Sequence, residues 1–200
     1  MNILNVAGGK IILDTSKMYD EDNFVVHLDI RFDGVPMDVI QTKFIEDEAG
    51  LYFSGENIYK FLEINNIPFD VVYCHRFLEH VPFDNVLNFI YQLSQNIVEG
   101  GQIEVIVPDY HKLAKLLITE KVGSKSWEAE NIILTTELVN CPSDPHASIW
   151  TVDRLKYFFE LENRFSLSHC ETDYEYDGRD IYIKAVFTRI TLLNKSRRNI

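Results

Sequence analysis

The chain is poor in cysteine, in basic residues and in long apolar runs. Its 3 cysteines, Cys74, Cys141 and Cys170, lie far apart and form no CxxC pair. That argues against a disulfide framework or a zinc ribbon and leaves small packed thiols as the expectation. Lys and Arg number 19 against 31 Asp and Glu, a formal net charge of -12. Phosphate backbones are held by clustered cations, so this balance disfavours nucleic acid as a partner. The one basic cluster, Lys195, Arg197 and Arg198, reads as a solvated end. No apolar stretch approaches the ~18 residues of a membrane span, and Met1-Asn2-Ile3 leads into a strand pattern with no signal-peptide layout. A cytoplasmic protein without a membrane anchor is expected. A spaced GxGxxG turn is missing, which disfavours a nicotinamide dehydrogenase. Histidines at i, i+4 on a helix are missing too, so no metal site is expected.

What is present points to one α/β domain over residues 1–190, with 191–200 as a loosely held tail. The most informative stretch runs from Phe69 to Asp109. Phe69-Asp70-Val71-Val72-Tyr73-Cys74-His75 reads as a buried strand. A turn of ionisable residues follows, Arg76-Phe77-Leu78-Glu79-His80-Val81-Pro82. Val86, Leu87, Ile90, Leu93, Ser94 and Ile97 recur at helical spacing, Gly100-Gly101 reads as the helix stop, and Gln102 to Val107 is a second strand ending at Pro108-Asp109. This is a parallel βαβ unit, whose ligand-binding loops lie at the carboxyl ends of its strands.

Earlier in the chain, Asn2 to Val6 is a strand running into Ala7-Gly8-Gly9, where glycine permits a sharp turn and close approach to a ligand. A second strand, Phe24 to Asp29, ends in an acid about twenty residues on, the separation at which a carboxylate meets a ribose hydroxyl. A third strand is expected within Val35 to Gln41, an acidic loop or small hairpin over Phe44 to Phe53, and a helix capped by Ser54. After Asp109 come a helix over Tyr110 to Ile118, an irregular segment over 119–150 that reads as a lid, and a helix from Thr151 to Glu162 with Thr151 as N-cap. The last two strands are Phe165 to Cys170 and Ile181 to Ile190.

Together these residues resemble a class I S-adenosylmethionine-dependent methyltransferase of the small methyltransferase-11-like kind. Leu4-Asn5-Val6-Ala7-Gly8-Gly9 stands where that family has its glycine-rich motif, Val26-His27-Leu28-Asp29-Ile30 where its ribose-binding acid lies, and Phe69 to Tyr73 followed by Leu78-Glu79-His80-Val81 where its fourth-strand motif lies. Val98-Glu99-Gly100-Gly101 through Asp109, and His146 to Leu155, are similar to later segments. The resemblance implies a doubly wound Rossmann-like sheet of seven strands in order 3-2-1-4-5-7-6, the last antiparallel. It also implies S-adenosylmethionine as cofactor and S-adenosylhomocysteine as product. The family usually has an acid where Asn5 stands and a glycine where Ala7 stands, so an inactive descendant with a binding or regulatory role is the alternative.

On this reading the cofactor contacts are Asn5, Ala7, Gly8, Gly9, Asp29, Cys74 and His75. Candidates for chemistry are His80, His75 and Asp109, since removing a proton from a hydroxyl or amine acceptor suits His or a carboxylate. His111, His146 and Trp150 are candidates for contact with a small-molecule or sugar-containing acceptor. Each has a structural alternative: Glu79-His80 fixing the turn, Asp109 capping the next helix, Trp150 as core.

Overall fold

The computed structural model describes residues 1–6, 23–28, 51–54, 57–119, 146–161, 164–176 and 179–190. Short runs of aliphatic residues form the strands: β1 Asn2–Val6, β2 Phe24–Leu28, β3 Leu51–Ser54, β4 Phe69–His75, β5 Ile97–Pro108, β6 Phe165–Tyr176 and β7 Arg179–Arg189. The helices are α1 Ile58–Ile64, α2 Phe83–Asn96, α3 Tyr110–Thr119 and α4 Val152–Glu160, with a 3-10 turn at Leu78–His80. Among the described residues the strands make one sheet in the order β3-β2-β1-β4-β5-β7-β6. The β1–β2, β2–β3, β1–β4 and β4–β5 pairs are parallel, and β7 is antiparallel to both β5 and β6.

Side chains alternate across a strand, and here the two faces differ in chemistry. One face presents Leu4, Val6, Val26, Leu28, Val72, Cys74, Ile103, Val105, Ile183, Ala185 and Phe187 to the core. Helix α1 packs there through Ile58, Phe61 and Leu62, α2 through Val86, Phe89, Ile90 and Leu93, and α4 through Leu155 and Phe159. Phe159 stacks on Phe187 with centroids 4.2 Å apart. Each such fully buried side chain contributes roughly 1.5–3 kcal/mol relative to exposure. The opposite face carries the alternate residues Asn5, His27, Tyr73, His75, Glu104 and Lys184, a row of polar groups inside the sheet.

Several expected elements move. The third strand is Leu51–Ser54, in the stretch read as loop or hairpin; its Leu-Tyr-Phe run favours extended backbone. Residues 35–41 lie outside the described residues. Helix α1 is capped by Asn57, whose Oδ1 accepts from the N–H of Tyr59 at 3.0 Å, and not by Ser54, which ends β3. Leu87, counted in the apolar stripe of α2, is 45% exposed, and Phe89 takes the inward place. Most of the 119–150 segment lies outside the described residues, as do 191–200.

The glycine pair does not stop α2. The helix ends at Asn96, and β5 already runs through Gly100-Gly101, with an irregularity in the β4–β5 ladder at Phe69/Val71. Gly100 has φ 79°, and a Cβ on Gly101 would lie 2.6 Å from Cγ2 of Ile97 and 2.9 Å from the carbonyl oxygens of Asp70 and Val98. Gly101→Ala is therefore expected to cost about 1–3 kcal/mol by overpacking. Gly100→Ala meets nothing within 4 Å and is expected to cost about 1–2 kcal/mol from left-handed backbone alone. Urea midpoints of the two variants check both.

Candidate active site

Strand order sets the place. The connection from β1 leads to β2 on one side, while β4 and β5 lie on the other, so the crossovers diverge at β1 and β4 and leave a crevice at the carboxyl ends of those strands. Asn5 reaches it from β1. Its side chain is buried, with Nδ2 3.0 Å from Nδ1 of His27 on the neighbouring strand. Burial of His27 lowers its pKa to about 4, so the ring is neutral at pH 7. Oδ1 of Asn5 is buried and has no hydrogen-bond partner among the described residues. Ala7, Gly8, Gly9 and Asp29 follow β1 and β2 directly in sequence and lie outside the described residues.

At the end of β4 the expected site residues separate. Cys74 points into the core with no exposed surface, and burial, then the nearby Glu79 charge, push its thiol well above the ordinary range. It is no nucleophile. His75 turns to the opposite face, where Nε2 is 2.9 Å from Oε1 of Glu104 and the ring meets Tyr73 and Tyr176 edge-on at 5.5 and 6.1 Å. Lys184 completes this cluster, its Nζ 3.0 Å from Oε2 of Glu104. Burial opposes ionisation of Glu104, but hydrogen bonds from His75 and Lys184 outweigh it and hold the carboxyl below its usual range. Arg76, next in the chain, takes φ 51°, a left-handed conformation costing roughly 1–2 kcal/mol for a residue with a Cβ. Its N–H donates to the Ile106 carbonyl at 2.8 Å.

The 3-10 turn then carries Glu79 and His80 under a returning segment, residues 146–150. The Glu79 carbonyl accepts from the N–H groups of Ala147 and Ser148 at 2.6 and 3.0 Å. Ser148 Oγ donates to the Leu78 carbonyl at 2.8 Å and accepts from Trp150 Nε1 at 2.9 Å. These bonds fasten His146 against His80, with ring centroids 4.9 Å apart and nearly perpendicular. Tyr110, the first residue of α3, places its hydroxyl 2.9 Å from Nδ1 of His146.

Asp109 ends β5 and caps α3: Oδ1 accepts from the N–H groups of His111 and Lys112 at 3.0 and 3.3 Å. With His111, Lys112, Thr151 and Asp173 it lines a cavity of about 300 Å³ between α3, α4 and β6. Lys112 is ion-paired there with Asp173 and Asp180. Trp150, expected against an acceptor, has 0% exposure and packs on Phe83 and Phe158. A ring with no exposed surface cannot touch an acceptor, so Trp150 is core. The structure thus joins His80 with His146, and Asp109 with His111, and parts His75 from both. Tyr110, Glu104, Lys184 and Ser148 escaped sequence reading because their partners lie between 29 and 80 residues away or across the sheet, where no local spacing marks them.

No protein-family model and no curated protein matches the chain. Solved structures do. A SAM-dependent methyltransferase from Methanosarcina mazei aligns over 94% of this chain and 92% of its own, with 13% identity and TM-score 0.63. The N-methyltransferase NodS from Bradyrhizobium japonicum WM9 aligns over 95% and 86%, with 9% identity and TM-score 0.60. The 1,6-didemethyltoxoflavin-N1-methyltransferase of Burkholderia thailandensis, solved with its namesake compound and S-adenosylhomocysteine, aligns over 95% and 71%, with 10% identity and TM-score 0.61. The chain has the class I methyltransferase fold. Within that fold, Asn5 lies near the carboxyl end of β1, the 3-10 turn bearing His80 follows β4, Asp109 follows β5, and His146 packs on His80. Among the described residues of this methyltransferase-fold chain, no helix is long and apolar enough to cross a membrane.

Proposed function

We propose that the chain is a methyltransferase that uses S-adenosylmethionine, releases S-adenosylhomocysteine and acts on a small-molecule or sugar-containing acceptor. The observation that carries this reading is Asn5 at the diverging crossovers. Its Oδ1 is a buried acceptor with no partner among the described residues, and a buried acceptor is costly to leave unmet. The ammonium group of the cofactor's amino-acid end is a donor of the right kind. Ala7, Gly8 and Gly9 would bring backbone close to the cofactor, Asp29 would accept from its ribose hydroxyls, and the backbone at Cys74 and His75 would border it. Bound there, S-adenosylmethionine would supply a sulfonium methyl group for in-line displacement.

The chain's own tasks are to orient the acceptor, exclude water and take up a proton. His80 and His146, held together by the bonds that fasten 146–150 to the 3-10 turn, would face the acceptor. His80→Ala is expected to lower turnover more than cofactor affinity; equal turnover returns His80 to a structural role. Calorimetry with both ligands should give saturable binding, and Asp29→Ala should weaken it about 10–100-fold, the loss of one or two hydrogen bonds to a charged group. No binding at millimolar ligand would sink the proposal, and unchanged affinity in Asp29→Ala would remove the ribose role. The second reading, a protein that keeps the fold for binding or regulation, is favoured by Asn5 in place of an acid and Ala7 in place of glycine. Binding without turnover across acceptor classes would select it.

A further inference from the structure

Beside the cofactor crevice, one cluster unites metal-ligating side chains that the sequence keeps apart. A carboxylate oxygen of Glu79 and one ring nitrogen each of His80 and His146 all lie within 4.8 Å of one another. We infer that Glu79, His80 and His146 form a binding site for a divalent transition-metal ion. A tetrahedral first-row ion holds such ligands at about 2.0–2.2 Å, which sets its ligand atoms about 3.3–3.6 Å apart, so side-chain shifts of up to about 1 Å close the set. Two imidazoles with one carboxylate are borderline donors that suit Zn²⁺, Co²⁺ or Fe²⁺ and select against Mg²⁺, which prefers oxygen and octahedral geometry.

Three further features support the assignment. The Glu79 side chain is fully buried, where a carboxylate attracts a cation more strongly than it does in water. The two histidines come from distant segments, yet backbone bonds from Ala147 and Ser148 to the Glu79 carbonyl lock their separation, so the pocket is preorganised. Tyr110 Oη engages Nδ1 of His146 at 2.9 Å, and an Nδ1–H donated to that oxygen directs the Nε2 lone pair inward, as outer partners of metal-bound histidines do. The other histidine cluster lacks this character: His75 already shares Glu104 with Lys184.

Three protein ligands leave positions open, the pattern of a working site and not of a closed structural one. Those positions take oxygen donors, and paired hydroxyls are the acceptor class they fit best. That role in acceptor choice rests on the methyltransferase reading; the ion site itself does not. With His80 and His146 as ligands, neither serves as general base, and the ion lowers the pKa of a bound hydroxyl in their stead.

The test uses the full chain, stripped with a chelator and titrated with Zn²⁺, Co²⁺ and Mg²⁺ by calorimetry, without S-adenosylmethionine. Zn²⁺ and Co²⁺ should each saturate one site per chain, with a visible Co²⁺ absorption band, and Mg²⁺ should not compete. His146→Ala and His80→Gln, at half-buried positions, should keep the far-UV circular dichroism and lose at least about 100-fold in Zn²⁺ affinity, and Tyr110→Phe about 10-fold. His169→Ala, on the exposed side of β6, should bind as the parent does. Absence of one-to-one Zn²⁺ uptake, parental affinity in both histidine variants, or Mg²⁺ binding as tightly as Zn²⁺ would overturn the site. Zn²⁺ uptake without S-adenosylmethionine binding would sink the methyltransferase reading and leave the ion site standing; the converse would do the reverse.

Discussion

Trp150→Ala is expected to destabilise the fold by about 3–5 kcal/mol, the range for truncating a large buried aromatic. Trp150 has no exposed surface and sits between Phe83 and Phe158, centroids 5.5 and 5.6 Å away. Truncation removes those contacts, leaves a cavity and deprives Ser148 Oγ of its Nε1–H donor. Native domains hold about 5–15 kcal/mol in all, so this one side chain accounts for a large share. For a chain of this length the thermal midpoint should fall by roughly 6–20 °C, read by far-UV circular dichroism. Trp150→Phe keeps one ring but loses the donor and part of the buried indole volume, so it should cost less than the alanine, about 2–3 kcal/mol. A midpoint shift below about 3 °C in Trp150→Ala would mean that the side chain is not core.

The second large effect is acid lability centred on His27. Burial lowers its folded pKa to about 4 from an ordinary 6.5. Between those values the unfolded chain binds a proton that the folded chain refuses, so stability is full above pH 6.5 and is lost as pH falls toward 4. The gap corresponds to about 3 kcal/mol at 1.36 kcal/mol per pH unit. Glu104, held below its usual range by His75 and Lys184 despite burial, adds a further loss that begins as pH falls through the ordinary carboxylate range and continues below it. The His27 loss therefore comes first as pH falls, and the Glu104 loss follows at its acid end. Urea midpoints at pH 7.5, 6, 5 and 4 should show the decline, and His27→Gln, whose side-chain carbonyl can still accept from Asn5, should flatten it between 6.5 and 4. A His27 resonance titrating near 6.5 would overturn the prediction.

The strand order and the antiparallel last strand came with the family resemblance and agree with the sheet, while the residues themselves marked the elements: apolar runs in β1, β2 and β4, helical spacing in α2, and a cap at Thr151 that the structure places 3.3 Å from the Arg154 N–H. What misled were residues with two local uses. Gly100-Gly101 serves a helix end or a strand irregularity equally well, and only the Asp70 carbonyl beside Gly101 decides. Leu51 to Ser54 is too short to declare itself against its acidic neighbours. Of the candidate site, the sequence marked the places where loops follow strands, with His80 after β4 and Asp109 and His111 after β5, because those loops can be counted along the chain. The facing of His75 was not legible, because it depends on strand register, and Glu104, its partner, lies on another strand. The pairing of His80 with His146 spans 66 positions of sequence, beyond any spacing rule.

The bonds that fasten His146 beside the start of α3 have a consequence for how this scaffold can vary. α3 has 10 residues, about 15 Å of helix, and the chain leaving its far end must return to Tyr110 at its beginning. About five extended residues would cover that distance, yet residues 120 to 145 intervene. Doubling or halving the length of a connection changes its closure cost by only about 0.6 kcal/mol. The length of this stretch can therefore vary at small energetic cost while the bonds that hold His146 to Tyr110 and the Glu79 carbonyl to Ala147 and Ser148 stay in place.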